Sequence, residues 1–163
     1  MVNILDSQHR VKSVELRAFI DTHPADDDVK RPLYNAIDAY QRIRQSADAV
    51  DDNLDPIVAA AACKNHPVGT FGRSLLLNLV LDYPQARHAV DELIENGKAK
   101  LRSDIVFAAG IYAPACDYKR DVIRRCLDDR ASSVRRRAIE SSDKSMLSDL
   151  LHRQEIENDD SLK

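Results

Sequence analysis

The sequence predicts an all-α protein, and three observations lead to that prediction. First, only 5% of the 163 residues are aromatic and there is no Trp, while Ala, Leu, Ile, Asp and Arg dominate, a composition that favours helices over a β-sandwich or barrel. Second, apolar residues recur at spacings of three and four, and no alternating strand pattern of four or more residues occurs. Third, a similar pattern returns about every 30 residues.

In the N-terminal third, the sequence pattern predicts two helices. Residues 1–52 are interpreted as an atypical helical cap. The first helix covers about Val11 to Ile20, and the second runs from about Val29 to Val50. Three aspartates, 26 to 28, offer a capping carboxylate and favourable first-turn charge for the second helix. The acidic stretch 51–55 reads as a solvated joint between this cap and the rest of the chain.

Three helix pairs follow over residues 56–141, at about 56–82, 85–112 and 116–141. The clearest helix covers 86–96 and is expected to end at Gly97. The next helix, 101–112, is apolar on more than one face, which predicts neighbours on several sides. A final helix at 144–154 and an acidic tail at 155–163 complete about nine short helices in a single domain.

The three pairs resemble one another at fixed offsets. A shift of 33 residues places Val90 on Ile123 and Arg102 on Arg135, and a shift of 30 places Phe71 on Leu101. Such pairs cannot bury their apolar surfaces alone, so stacking would supply a continuous core. Nine side chains are therefore expected to be buried: Leu93, Ile94, Leu101, Ile105, Val106, Ile123, Leu127, Val134 and Ile139.

One joint carries a recognisable pattern, an Asp in the turn followed by Val-Arg at the start of the next helix. Asp129, Val134 and Arg135 have this spacing. The region 56–141 thereby resembles HEAT-like helical repeats, which implies an α-solenoid. The resemblance further implies that Asp129 bonds to the turn backbone and that Arg135 packs over it, with Asn96 and Arg102 in the matching positions of the preceding pair.

Charge and cysteine usage exclude several classes of protein. The formal net charge of -3 rules out bulk attraction to nucleic acid. No secretion signal or membrane-spanning stretch is visible, so a cytoplasmic protein without membrane contact is expected. The three cysteines are too widely spaced for a zinc site or a disulfide framework, and Cys63 and Cys126 read as small buried apolar residues.

No catalytic motif is present, so we expect no catalytic residues, no cofactor and no metal. The segment from Ser141 to Lys144 has the S-x-x-K form but lacks its partner motifs, and we interpret it as a helix-capping Ser or Asp before the final helix. The segment from Gly69 to Gly72 lacks the Gly-Lys-Ser/Thr of a phosphate loop. A non-enzymatic role follows as the expectation.

The remaining feature is a basic cluster between residues 117 and 137, in which seven of eight positive residues are Arg. Arginine favours forked contacts with carboxylate or phosphate. Three interpretations stay open: an ordinary solvated surface with ion pairs, a site for an acidic protein partner, and a site for nucleic acid.

The sequence is therefore interpreted as a protein-binding module, either an adaptor or a toxin-neutralising immunity-type protein, that binds through an extended helical face. The alternative is a nucleic-acid-binding HEAT-like protein of the DNA glycosylase type. We favour Arg136 and Arg137 as partner contacts, because the second helix of each pair lines the inner face of HEAT-like arrays. The full set of candidate contacts is Arg136, Arg137, Arg102, Asp104, Arg73, Arg124 and Arg125.

Overall fold

A computed structural model of the chain describes residues 13–22, 26–113 and 115–160. Within these ranges the protein is all-helical, with nine α-helices and no strand. The helices are α1 (Ser13–Thr22), α2 (Asp27–Gln45), α3 (Val50–Ala62), α4 (His66–Leu79), α5 (Pro84–Asn96), α6 (Ala99–Tyr112), α7 (Asp117–Leu127), α8 (Ser132–Ser141) and α9 (Leu147–Asp160). Short 3-10 turns at Ala47–Ala49 and Lys144–Met146 precede α3 and α9.

Local sequence explains several helix ends. Proline occupies one of the first two positions of both α4 and α5, where its missing N–H costs nothing. Helix α5 ends at Asn96 as expected, and the Gly97 N–H donates to the Leu93 carbonyl. Asp143 accepts from the backbone N–H of Ser145 at 2.8 Å, so the capping interpretation of this stretch is confirmed.

The even-numbered helices form a row in which each lies beside the next. Helix α2 packs on α4, α4 on α6 and α6 on α8, while α3 packs on α5 and α7 on α9. Helices α3 and α4 form an antiparallel pair, since Gly72 lies against Ala60 and Ala61 while Gly69, earlier in α4, lies against Cys63 just after α3. The all-helical prediction and the prediction of packed helix pairs are confirmed over the described residues.

Contacts between α6 and α8 show that these two helices run in the same direction. From one end to the other, the Ser103 hydroxyl donates to the Ser133 carbonyl at 3.4 Å, Arg137 lies over the Phe107 ring, and Gly110 lies against Ser141.

Helix α2 belongs to the same row. Val29 at its start shares a pocket with Pro67 at the start of α4, and the Tyr40 hydroxyl near its end donates to the Asn78 side chain near the end of α4 at 2.5 Å. The two helices are therefore parallel. Helix α2, which was expected to belong to an atypical cap, thus packs beside α4 in the same direction. Residues 1–12 and 23–25 of the expected cap lie outside the described residues.

Several helix boundaries differ from the sequence-based expectation. Helix α2, expected to run to about Val50, ends at Gln45. The stretch 51–55 is not a solvated joint, because α3 begins at Val50 and includes it. Asp51 and Asp52 lie in the first turn, where their charge favours the helix N-terminus. Helix α9 continues to Asp160, so the expected acidic tail is helical as far as the described residues extend, while 161–163 lie outside them, as do Val11 and Lys12 of the first predicted helix.

The buried side chains match those predicted from the apolar pattern, with one error. Of the nine side chains expected to be buried, six are buried, Leu93 and Leu101 are partly buried, and Ile139 is 46% exposed. Helix α8 turns Val134 and Ala138 into the core. Ile139 lies one residue further, about 100° around the helix axis, and therefore faces away from it.

Candidate functional site

A cleft opens along the row of even-numbered helices, where α4, α6 and α8 meet. Its volume is about 230 Å³. Its lining combines positive, negative and aromatic side chains, in contrast to the wholly buried core. The lining residues are His66, Thr70, Arg73, Lys100, Asp104, Phe107, Ala108, Tyr112 and Arg137.

Arg73 of α4 lies deep in this cleft, with its side chain only 8% exposed. Its Nη1 donates to the Ala61 carbonyl of α3 at 3.0 Å. Burial lowers the pKa of its guanidinium. Gly69, one turn earlier, leaves room for this group, because a Cβ there would lie 2.7 Å from Nη1 of Arg73.

The α6 side of the cleft carries a carboxylate with two cations near it. Asp104 accepts a hydrogen bond from Lys100 Nζ at 2.6 Å, one helical turn away. Its other oxygen lies 3.8 Å from Nη2 of Arg73. Since 3.8 Å exceeds hydrogen-bond distance, Arg73 and Asp104 attract each other by charge without a shared hydrogen bond.

The rim of the cleft is formed by Arg137 of α8, whose guanidinium lies 4.5 Å from the centre of the Phe107 ring. Arg137 Nη1 also donates to Glu140 at 2.6 Å. Phe107 is 44% exposed, and Ile111 one turn further along α6 is 49% exposed. Cation–π contact and ion pair together hold the Arg137 side chain in place.

The structure brings three of the predicted contact residues together, Arg73, Asp104 and Arg137, and places Arg136 on the exposed outer side of α8 near Glu140 at 3.8 Å. Arg102 does not reach the surface. The expected surface position is wrong for Arg73 and Arg102, because their whole-residue exposures are only 6% and 4%. Each guanidinium instead bonds to a helix-turn or helix carbonyl inside the fold.

Arg124 and Arg125 lie on α7, away from the cleft lining. Arg124 pairs with Asp149 of α9 at 3.1 Å, and Arg125 pairs with Asp91 of α5 at 2.5 Å. These two ion pairs link α7 to α9 and to α5. Arg124 also pairs with Asp121 within α7 at 3.4 Å, which is the kind of pair that the solvated-surface interpretation expects.

Three of the four predicted turn residues, Asp129, Arg102 and Arg135, meet at the joint between α7 and α8. Asp129 accepts from the Ala131 backbone N–H at 2.8 Å, which is the expected turn bond. Its carboxylate also takes two hydrogen bonds from Arg102 of the preceding pair. Arg135 donates to the backbone carbonyl of Asp129 at 2.9 Å, and Asn96 is the exposed last residue of α5.

Sequence reasoning missed the aromatic and lysine residues of the cleft. A signal was present in α6, where Lys100, Asp104, Phe107 and Ile111 are spaced by four, three and four residues. This spacing places them on one face of the helix, distinct from the face of Ile105 and Ala109. The abundance of apolar residues in α6 hid that second face.

Among the described residues, no helix is long and apolar enough to cross a membrane, and no group of three His, Cys, Asp or Glu side chains could hold a metal ion. Comparison of the chain with protein-family models, curated proteins and solved structures gives no significant match.

Proposed function

We propose that this protein is a non-enzymatic binding module that recognises another protein through the face formed by α4, α6 and α8. The observation that carries the proposal is the contact between Arg137 and the half-exposed Phe107 at the rim of the cleft. Aromatic residues and arginine are the types enriched where proteins bind one another.

The apolar surface next to this contact supports a protein partner. Phe107 and Ile111 form an exposed apolar strip on α6, and their neighbours at the rim are charged. An apolar centre with a polar surround is the usual arrangement of a protein interface. Single-stranded nucleic acid would instead favour several aromatic rings that can stack with successive bases.

The charge of the face favours an acidic partner. Arg73, Lys100 and Arg137 line the cleft with Asp104 as the one carboxylate among its lining residues, and Glu140 pairs with Arg137 at the rim. Lys100 and Asp104 offset one another, so the positive side chains exceed the negative ones. An acidic protein surface would complement this excess and gain specificity from it.

We further propose that the stacked pairs form a HEAT-like α-solenoid. Two arginines at equivalent positions, 33 residues apart, support this arrangement. Arg102 Nη1 donates to the Gly97 carbonyl at 2.7 Å, and Arg135 Nη1 lies 3.4 Å from the Arg130 carbonyl, which is the equivalent bond. In such arrays, successive second helices form one extended binding face, and α4, α6 and α8 are those helices.

The experiment is affinity capture with matched double variants. Tagged wild-type protein, Arg136→Glu with Arg137→Glu, and Arg120→Glu with Arg124→Glu are incubated with source lysate, with and without nuclease. Circular dichroism and thermal unfolding first verify that both variants fold. Captured proteins are then identified, purified and recombined with each variant.

We expect the 136/137 variant to lose the partner and the 120/124 variant to keep it, because Arg137 lines the cleft, whereas Arg120 and Arg124 lie on α7 and are not among its lining residues. Equal binding by wild type and both variants would overturn the assignment of this face. Capture that disappears with nuclease, and that weakens steeply as salt rises, would indicate the nucleic-acid alternative instead.

A further inference from the structure

We infer that the cleft between α4, α6 and α8 seats a single carboxylate side chain of the partner, held by the guanidinium groups of Arg73 and Arg137. This inference rests on the proposed function and deepens it by naming the chemical group that is recognised. It starts from the hydrogen-bonding state of Arg73 and from the size and charge of the cleft.

Arg73 is a buried arginine with unused donor capacity. A guanidinium carries five N–H donors, yet among the described residues Arg73 makes one hydrogen bond, to the Ala61 carbonyl. No buried side-chain nitrogen or oxygen of the described residues lacks a hydrogen-bond partner, so the remaining nitrogens of Arg73 are open to solvent in the cleft that Arg73 lines. A carboxylate that enters the cleft would accept from these solvent-facing donors in place of water.

Asp104 does not fill this role in the free protein. Its Oδ1 is engaged by Lys100 at 2.6 Å, while its Oδ2 remains 3.8 Å from Arg73. A contrast lies within the same fold, where Arg102 uses all three of its nitrogens in hydrogen bonds of 2.7 to 2.8 Å. Arg73 is therefore incompletely paired compared with the arginine that serves a structural role.

Arg137 supplies a second, pre-organised guanidinium. Its plane is held near the Phe107 ring, and its side chain remains 35% exposed at the mouth of the cleft. A side chain that is already held in place loses less conformational freedom when it binds. Forked contact between a guanidinium and a carboxylate is then available at the rim.

The cleft has room for a carboxylate side chain. Its volume of about 230 Å³ is below the range of roughly 300–1,000 Å³ that is typical of pockets for drug-sized ligands. A glutamate or aspartate side chain needs less room than a nucleotide, so the cleft suits the side chain better.

Asp104 is the one negative side chain among the lining residues of the cleft. Its side chain is 28% exposed, so it opposes any anion that enters, while Arg73, Lys100 and Arg137 attract that anion. Attraction and repulsion both grow with the ligand's charge, so a phosphate group, which carries up to two negative charges near neutral pH, is the competing ligand that the test must separate from a carboxylate.

The test is a nuclear magnetic resonance titration of the full chain labelled with nitrogen-15. The probes are the capped peptides acetyl-Ala-Glu-Ala-amide and acetyl-Ala-Gln-Ala-amide, and inorganic phosphate. The Nε–Hε signals of Arg73 and Arg137 report on the cleft, and that of Arg124 reports on α7. The same titrations use the variants Asp104→Asn, Arg137→Gln and, as the matched control, Arg124→Gln.

The glutamate peptide should shift the Arg73 and Arg137 signals saturably, and the glutamine peptide should not. Asp104→Asn should tighten binding of the glutamate peptide by about threefold or more, because it removes a like charge while keeping the side-chain shape. Arg137→Gln should weaken binding by about tenfold. Arg124→Gln should leave binding unchanged.

Three outcomes would overturn the inference: an equal response to the two peptides, tighter binding of phosphate than of the glutamate peptide, or weaker peptide binding by Asp104→Asn. The proposed function fails separately. If the peptide does not bind but the 136/137 variant still loses the protein partner, only the carboxylate inference is wrong. If the peptide binds and the 136/137 variant keeps its partner, only the proposed protein-binding face is wrong.

Discussion

Arg102 of α6 donates two hydrogen bonds to the carboxylate of Asp129, from Nε at 2.7 Å and from Nη2 at 2.8 Å. The two residues belong to consecutive helix pairs and are 27 positions apart in the sequence. Their side chains are only 5% and 11% exposed. This buried pair joins the α5–α6 pair to the turn that starts α8, so it fixes how consecutive pairs are stacked.

Removing the Asp129 carboxylate should destabilise the fold strongly. Asp129→Ala leaves the guanidinium of Arg102 buried without its anionic partner, and breaking a buried pair in this way costs about 3 kcal/mol. Asp128 is adjacent and exposed, so Asp128→Ala should stay within about 0.5 kcal/mol. Urea unfolding measures both values, and equal losses for the two variants would contradict this role of Asp129.

The same pair should make stability depend on pH. Hydrogen bonds from Arg102 hold the pKa of Asp129 below its ordinary value of 3.8. A carboxyl with a lowered folded-state pKa contributes stability above its unfolded-state pKa and loses that contribution as pH falls through the folded-state value. The stability difference between wild type and Asp129→Asn should therefore be constant above about pH 5 and shrink as the pH falls below about 4. A difference that is unchanged down to pH 2 would contradict the pairing.

Gly72 is expected to be intolerant of even the smallest side chain. A Cβ at this position would lie 2.3 Å from the Ala61 nitrogen and 2.4 Å from the Ala60 carbonyl carbon, both of them backbone atoms. Gly72→Ala must push α4 away from α3, and overpacking of this kind costs about 2 kcal/mol. Thermal unfolding measures the loss.

Gly110 provides the matched control, since a Cβ there would meet the Ser141 side chain at 3.0 Å. This contact is less severe than the backbone contacts at Gly72, because Ser141 needs to move by only a few tenths of an ångström, and the helix propensity of Ala offsets it by up to about 1 kcal/mol. Gly110→Ala should therefore be close to neutral. Similar losses at both glycines would mean that close approach of α3 and α4 is not what Gly72 provides.

The sequence predicts the parts of this fold that depend on local periodicity. Helix α5 could be placed closely, because its apolar stripe is regular and Gly97 follows it. The start of α3 could not, because the acidic residues before Pro56 fit a solvated joint as well as a first helical turn. Packing of Val50 into the core decides between them, and that contact depends on the tertiary structure.

The candidate site was only partly predictable for the same reason. The location of Arg73, Asp104 and Arg137 on the second helix of a pair was enough to select them, and they share the cleft. The same criterion also selected Arg102, whose partner Asp129 belongs to the next helix pair. Only the stacking of the pairs shows that one arginine lines a cleft and the other is buried in a structural ion pair.

The most direct test of the binding face compares two exposed apolar residues in one equilibrium binding measurement. Phe107 is 44% exposed at the cleft, and Leu81, just after α4, is 50% exposed outside the cleft lining. Isothermal titration calorimetry with the purified partner gives the Kd of wild type, Phe107→Ala and Leu81→Ala. Phe107→Ala should raise the Kd by about tenfold or more, the loss expected of a central interface residue, and Leu81→Ala should leave it within about twofold. A Kd that is unchanged by Phe107→Ala would contradict binding through the face of α4, α6 and α8.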